Sequence, residues 1–111
     1  MADSEKVFEV TDENFGDQIE SGEGLTMVDF WAAWCGPCRM VAPIVADLAE
    51  SYEEQGLKVG KMDVDQNPAT ASKFGIRSIP SILFYKDGQH VDTVVGAVPK
   101  PFLEAKIAEH I

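Results

Sequence analysis

Hydrophobic and polar positions fall into blocks along the chain, and the period within each block assigns it to a strand or a helix. Val7 to Val10 reads as a short first strand. Thr11 or Asp12 is placed to cap a helix in which Phe15 and Ile19 share a face, and Ser21-Gly22-Glu23-Gly24 ends it. Leu25 to Ala32 (LTMVDFWA) is a near-continuous apolar run, the pattern of a strand covered on both faces. From about Gly36 to Glu54 the period becomes helical. Met40, Ile44 and Leu48 are spaced by four, with Val41 and Val45 beside them, giving a wide apolar stripe. Pro43 sits inside this stretch. An interior proline removes a backbone hydrogen bond at a cost of about 3 kcal/mol, so a kinked helix is expected.

Leu57 to Val64 gives a third strand. Asn67-Pro68 reads as an N-cap followed by a first-position proline, and Gly75 as a C-terminal stop, enclosing a short helix from Pro68 to Phe74. Ser81 to Tyr85 and His90 to Val95 are strands joined by Lys86-Asp87-Gly88-Gln89, where Asp-Gly is a strong hairpin signal. A last helix from roughly Pro101 to His110 turns Leu103 and Ile107 inward. The order β-α-β-α-β-α-β-β-α predicts an α/β fold. Its sheet is mixed and five-stranded, with three parallel strands, an antiparallel C-terminal hairpin and four flanking helices. In such sheets ligands meet the carboxyl ends of the strands. Trp34-Cys35-Gly36-Pro37-Cys38 falls there, between the second strand and the helix after it.

Length and composition narrow the picture. A chain of 111 residues reads as one domain spanning 1–111, with no repeat, low-complexity tract or linker. At this size a core forms without staples, because a little under about two-thirds of the unfolded surface becomes buried. Nine basic and nineteen acidic side chains give a net charge of -10. That field repels nucleic acid and anionic membranes, which bind clustered Lys and Arg. Asp29, Gly36, Pro37, Arg39, Pro43 and Asp47 interrupt the most apolar stretch, Leu25 to Ala49, so it does not span a bilayer. The start, Met1-Ala2-Asp3-Ser4-Glu5-Lys6, lacks the apolar core of a secretory signal, and a cytoplasmic location is the default expectation.

Cys35 and Cys38 are the only cysteines. As a structural staple their short loop contributes only about 2 kcal/mol by chain entropy, against about 3 for a fifteen-residue loop. A four-ligand zinc site needs a second ligand pair. His90 and His110 are far apart in sequence and read as plain surface histidines, so no metal is expected. Redox chemistry explains the spacing better. At a helix N-terminus the Cys35 thiolate faces unpaired N–H groups and the positive end of the helix dipole, which lower its pKa. Cys38, one turn later, lies deeper and can reach back to the Cys35 sulfur. Pro37 is tolerated in the first turn and stiffens the loop. Gly36 leaves room for a partner's backbone.

WCGPC, together with the preceding VDFWA and the later KMDVDQNP, GIRSIP and VVGA in that order, resembles the thioredoxin family over essentially the whole chain. The resemblance implies the thioredoxin fold and a protein dithiol–disulfide oxidoreductase. Its targets would be proteins containing disulfides. It would be recycled by a thioredoxin reductase, an NADPH-dependent flavoprotein, with no cofactor bound to this chain. A monomer is the simplest expectation.

Asp29 interrupts the apolar run, and a buried carboxyl with a raised pKa can act as a general acid–base. The family pattern places it near Cys38, which it would deprotonate directly or through a water. The resemblance also brings Lys61 toward Asp29 to tune its charge, whereas from spacing alone Lys61 reads equally well as a snorkelling lysine. About 5–6% of X-Pro bonds in folded proteins are cis, so the sequence alone predicts a trans bond before Pro80. The resemblance implies instead a cis bond facing the sulfurs, with the Ile79 backbone pairing with an extended substrate segment. Trp34 suits the rim of a docking surface, whereas Trp31 reads as core. Gly96 is a strand terminator, a point of close approach by a partner, or both. Ser78 and Ser81 stand where relatives often carry Gly and Thr, which bears on substrate preference rather than on the chemistry.

Overall fold

A computed structural model describes residues 4–111; the first three residues of the polar start lie outside it. Five strands form one sheet in the order β1-β3-β2-β4-β5. They are β1 (Val7–Glu9), β2 (Leu25–Trp31), β3 (Lys58–Asp63), β4 (Ser81–Lys86) and β5 (Gln89–Val95). β1 and β2 run parallel to β3, and β4 and β5 add the antiparallel side. The expected sheet is the one observed. β2, the apolar run, is the central strand and is buried from Leu25 to Phe30.

Side-chain alternation along β2 divides the core in two. Leu25 and Met27 face α1 (Gly36–Ser51) and α3 (Lys100–His110), meeting Val41, Val45, Leu48, Leu103 and Ile107. Val28 and Phe30 face the opposite layer, with Phe15, Ile19 and Ala71 of α2 (Pro68–Lys73). Asp29 shares the α1-facing side with Met27. Among the described residues no helix is long and apolar enough to cross a membrane.

The departures from expectation have local causes. The stripe on α1 is centred on Val41, Ala42, Val45, Leu48 and Ala49, and Met40 is 70% exposed. A row spaced by four drifts around a helix of 3.6 residues per turn, so Met40 and Leu48 leave the same face. α1 continues through Pro43, which lies on the exposed side, where water can satisfy the carbonyl left without a donor.

The first helix is a short π-helical turn, Gly16–Glu20, closed by Ser21 N–H donating to the Gly16 carbonyl at 2.9 Å. Ahead of it Thr11 and Asn14 bond each other reciprocally: Asn14 N–H donates to Thr11 Oγ1 at 3.1 Å and Thr11 N–H to Asn14 Oδ1 at 2.7 Å.

Asp12 caps a different helix from the one expected. Its carboxylate accepts from Ala69 N–H at 3.2 Å and from Thr70 N–H at 2.9 Å, at the head of α2. It also accepts from the Thr70 hydroxyl at 2.7 Å, and that bond is the main reason its pKa lies below the ordinary value. Asn67 makes no capping bond; its Oδ1 accepts from Asp12 N–H at 2.9 Å. The two side chains knit the N-terminal layer to α2.

The β4–β5 loop is Asp87-Gly88, with φ of 50° and 83°, the left-handed pair of a two-residue hairpin turn. A Cβ on Gly88 would collide with the Glu20 carbonyl, whereas one on Gly56 (φ 91°) meets open space. Gly56→Ala should therefore cost only the left-handed penalty, about 1–2 kcal/mol. Gly88→Ala should cost roughly 1–3 kcal/mol more through the clash. Denaturant unfolding midpoints will check the order, and equal losses would refute it.

Candidate active site

β2 ends at Trp31 and α1 begins at Gly36, so the intervening turn projects from the carboxyl edge of the sheet toward a helix N-terminus. Cys35 is the N-cap of α1, with extended φ/ψ of -90° and 108°. Its sulfur accepts from the Cys38 N–H at 3.2 Å, one of the amides that a helix start leaves without an internal partner. Gly36 and Pro37 occupy the exposed first turn, where the missing proline N–H costs no helical bond. Cys35 and Cys38 form a disulfide with Cα atoms 5.3 Å apart.

In the disulfide form Cys35 is 3% exposed and Cys38, expected to lie deeper, is fully covered. Trp31, Val64 and Ile79 pack around Ala32 and the two cysteines. The order of access still follows the helix, with the N-cap sulfur outermost. Trp31 is only half-buried, a wall of the site rather than inner core.

Trp34 is 68% exposed, and its Nε1 donates to Asp65 Oδ2 at 2.8 Å, pinning the turn to the segment after β3. Arg39 Nη2 donates to the Ala33 carbonyl at 2.7 Å and braces the same turn from α1. Sequence reasoning missed both Asp65 and Arg39, because each acts through a backbone or a partner that only the fold brings close.

The Ile79–Pro80 peptide is cis. The Ile79 carbonyl oxygen lies 3.7 Å from the Cys35 sulfur. With the disulfide closed there is no S–H, so this is a close approach and not a hydrogen bond. β4 begins at Ser81, which leaves Ile79 beyond the ladder. The Ser81 hydroxyl donates to the Ser78 carbonyl at 2.5 Å across this turn. Gly96 (φ 98°) donates its N–H to the Pro80 carbonyl at 2.8 Å, joining the end of β5 to the same surface.

Asp29 is 3% exposed, and its Oδ1 is buried without a hydrogen-bond partner among the described residues. In register it stands between Lys61 of β3 and Ile82 of β4. Burial raises its pKa from 3.8 to about 7, against the pull of the Lys61 charge, which lowers it. The Lys61 ammonium also sits over the Trp31 ring, 5.5 Å from its centre. Asp29, Lys61 and Trp31 thus form one group beneath the α1 layer.

His110 is not a plain surface residue. Its Nε2 lies 3.0 Å from Asp92 Oδ2, and Glu109 stands nearby. Lys106 Nζ is also 3.0 Å from that oxygen. His110's hydrogen bond is the main reason that the Asp92 pKa falls to about 2.

A disulfide capping a helix at the carboxyl edge of the sheet, with the Ile79 carbonyl beside its outer sulfur, defines a thiol–disulfide exchange centre. The family model described as Thioredoxin matches residues 6–109. Thioredoxin 1 of Synechococcus elongatus is 52% identical over 102 residues, 92% of this chain and 94% of that protein. Thioredoxin 2 of Chlorobaculum tepidum is 49% identical over 97% of this chain and 98% of its own. The thioredoxin of Staphylococcus saprophyticus is 49% identical over 95% and 98%. The chain belongs to the thioredoxin family. Thioredoxins are disulfide oxidoreductases, and the family implies disulfide-containing targets and a reductase partner.

The Asp29 environment makes a signed prediction. A carboxyl with a raised folded-state pKa holds its proton more tightly when folded, so folding is penalised as pH climbs above 3.8, fully so above about 7. Asp29→Asn removes that titration. The disulfide form of the variant should exceed the parent in stability by on the order of 4 kcal/mol at pH 8. The gap should close near pH 4. Denaturant unfolding at both pH values will check it, and a pH-independent difference would show that Asp29 does not titrate as described.

Proposed function

We propose that Cys35 is the attacking sulfur and Cys38 the resolving one in the reduction of protein disulfides. The Cys35 thiolate attacks a target disulfide, forming a Cys35–target bond and expelling the other target sulfur as a thiolate, which takes up a proton. Asp29 accepts the Cys38 proton, and the Cys38 sulfur attacks Cys35, releasing the second target thiol. The target gains two electrons, and the chain is left with the Cys35–Cys38 disulfide. The observation that carries this assignment is the Cys38 N–H directed at the Cys35 sulfur on the outermost turn of α1. That amide stabilises a thiolate at Cys35, while Cys38 has no access of its own.

Asp29 suits the second step because its pKa of about 7 allows it to take up and give back a proton near neutrality. Lys61 tunes it by holding a positive charge opposite. Trp34, Ile79, Pro80 and Gly96 form the docking surface, with the Ile79 backbone pairing to an extended segment of the target. Gly36 and Pro37 keep the turn low and stiff. The chain works as a monomer of one domain and needs no bound cofactor. An NADPH-dependent flavoprotein reductase restores the dithiol. A reductant of this kind operates where thiols are kept reduced, which assigns it to the cytoplasm.

Reduction of insulin disulfides with dithiothreitol as electron source tests the assignment. Cys35→Ser should abolish turnover. Cys38→Ser should still attack but accumulate mixed disulfides visible by mass spectrometry. Full turnover in the Cys38 variant would overturn the division of labour.

A further inference from the structure

Where the last turn of α3 meets β5, three side chains that the thiol chemistry does not use come together. Asp92 of β5 and Glu109 and His110 of α3 each offer one donor atom, and these atoms lie within 4.8 Å of one another. The Asp92 and His110 side chains are each 19% exposed, and Glu109 is open to solvent. The first two are held in place from behind. Thr93 N–H donates to Asp92 Oδ1 at 2.9 Å, which leaves Oδ2 facing His110 Nε2. The imidazole lies beside the fully buried Phe84 ring, with centroids 6.5 Å apart.

The donor types narrow the ligand. One imidazole nitrogen with two carboxylates suits a divalent transition ion such as zinc, whereas magnesium and calcium prefer oxygen throughout. Ligands about 2.1 Å from a tetrahedral ion stand roughly 3.4 Å apart. His110 Nε2 and Asp92 Oδ2 are already 3.0 Å apart, and rotation of the exposed Glu109 side chain brings in the third donor. A fourth position is left to water. Lys106 Nζ competes for Asp92 Oδ2, but its side chain is 28% exposed and can swing out to solvent. The net charge of -10 raises the local concentration of cations.

We propose that Asp92, Glu109 and His110 form a zinc-class metal site that ties the end of α3 to β5. His110 binds through Nε2 as the neutral imidazole, with its proton on Nδ1, and Lys106 turns out to water. The site shares no residue with the dithiol face and stands independently of the exchange chemistry. Spacing along the chain gave no sign of it, because Asp92 and His110 are 18 positions apart and meet only through the packing of α3 on β5.

The test uses the full chain in its disulfide form, so that neither cysteine can coordinate the ion. Calorimetric titration with zinc chloride in a non-coordinating buffer should show one saturable equivalent, and magnesium chloride at the same concentration none. Asp92→Asn and His110→Gln each remove a ligand, and should weaken zinc binding by at least the roughly tenfold that loss of a mere supporting residue costs. Lys106→Ala should tighten it about two- to fivefold, the worth of an exposed ion pair that no longer has to break. His90→Gln, at the other histidine, should leave it unchanged. No saturable binding by the parent, or parental affinity in Asp92→Asn and His110→Gln, would overturn the site. So would a Lys106→Ala variant that binds zinc no more tightly than the parent.

Discussion

The amide of Cys38 pointing at the sulfur of Cys35 is the contact on which the rest depends. It exists because a strand ends and a helix begins within a few residues at the carboxyl edge of the sheet. The helix start leaves amides without internal acceptors, and the N-cap side chain is the group placed to accept from them. In most proteins that side chain is a hydroxyl or carboxylate whose bond only stabilises the helix. With sulfur in its place, the same bond favours the thiolate over the thiol once the disulfide is reduced. Supporting contacts hold the turn in register: Trp34 to Asp65 on one side and Arg39 to the Ala33 carbonyl on the other.

Behind the sulfurs the sheet supplies the second element, a carboxyl where the core should be apolar. Asp29 occupies a central-strand position between Lys61 and Ile82, with Met27 next along the same face. Desolvation outweighs the attraction of Lys61, so the group titrates near pH 7 instead of near 4. An Asp held this way lowers the stability of the fold at neutral pH. That cost is an unusual feature for a core position and the physical reason to read Asp29 as chemistry rather than packing.

The strands, their order and the hairpin were legible because each rests on short-range signals: alternation, a continuous apolar run, Asp-Gly. WCGPC was legible for the same reason. Where the sequence misled, a tertiary partner decided. Thr11 or Asp12 looked like the cap of the helix that follows; Thr11 Oγ1 accepts from Asn14 N–H ahead of it, whereas Asp12 caps α2, more than fifty residues away. Asn67 looked like the cap of α2 and instead accepts from Asp12. Both are good capping residues, and local reasoning had no means of telling which helix, if any, each would cap. Met40 was drawn into the core by a spacing of four, and only the packing of α1 on the sheet shows the buried row passing through Val41 instead. The cis bond before Pro80 ran against the base rate and became legible only through the family resemblance.

On the proposed mechanism, burial of the disulfide gives the exchange its direction. Cys38 is fully covered, so on the proposed mechanism an incoming thiolate meets the Cys35 sulfur first and expels that of Cys38. Asp29, buried on the α1-facing side of β2, titrates near neutral pH. In the forward sense the proposed mechanism uses the same enclosure to keep Cys38 from any disulfide except the one just formed at Cys35. One helical turn of separation, with one sulfur at the cap and the other fully buried, is what the proposed mechanism uses to make two chemically identical side chains act in a fixed order.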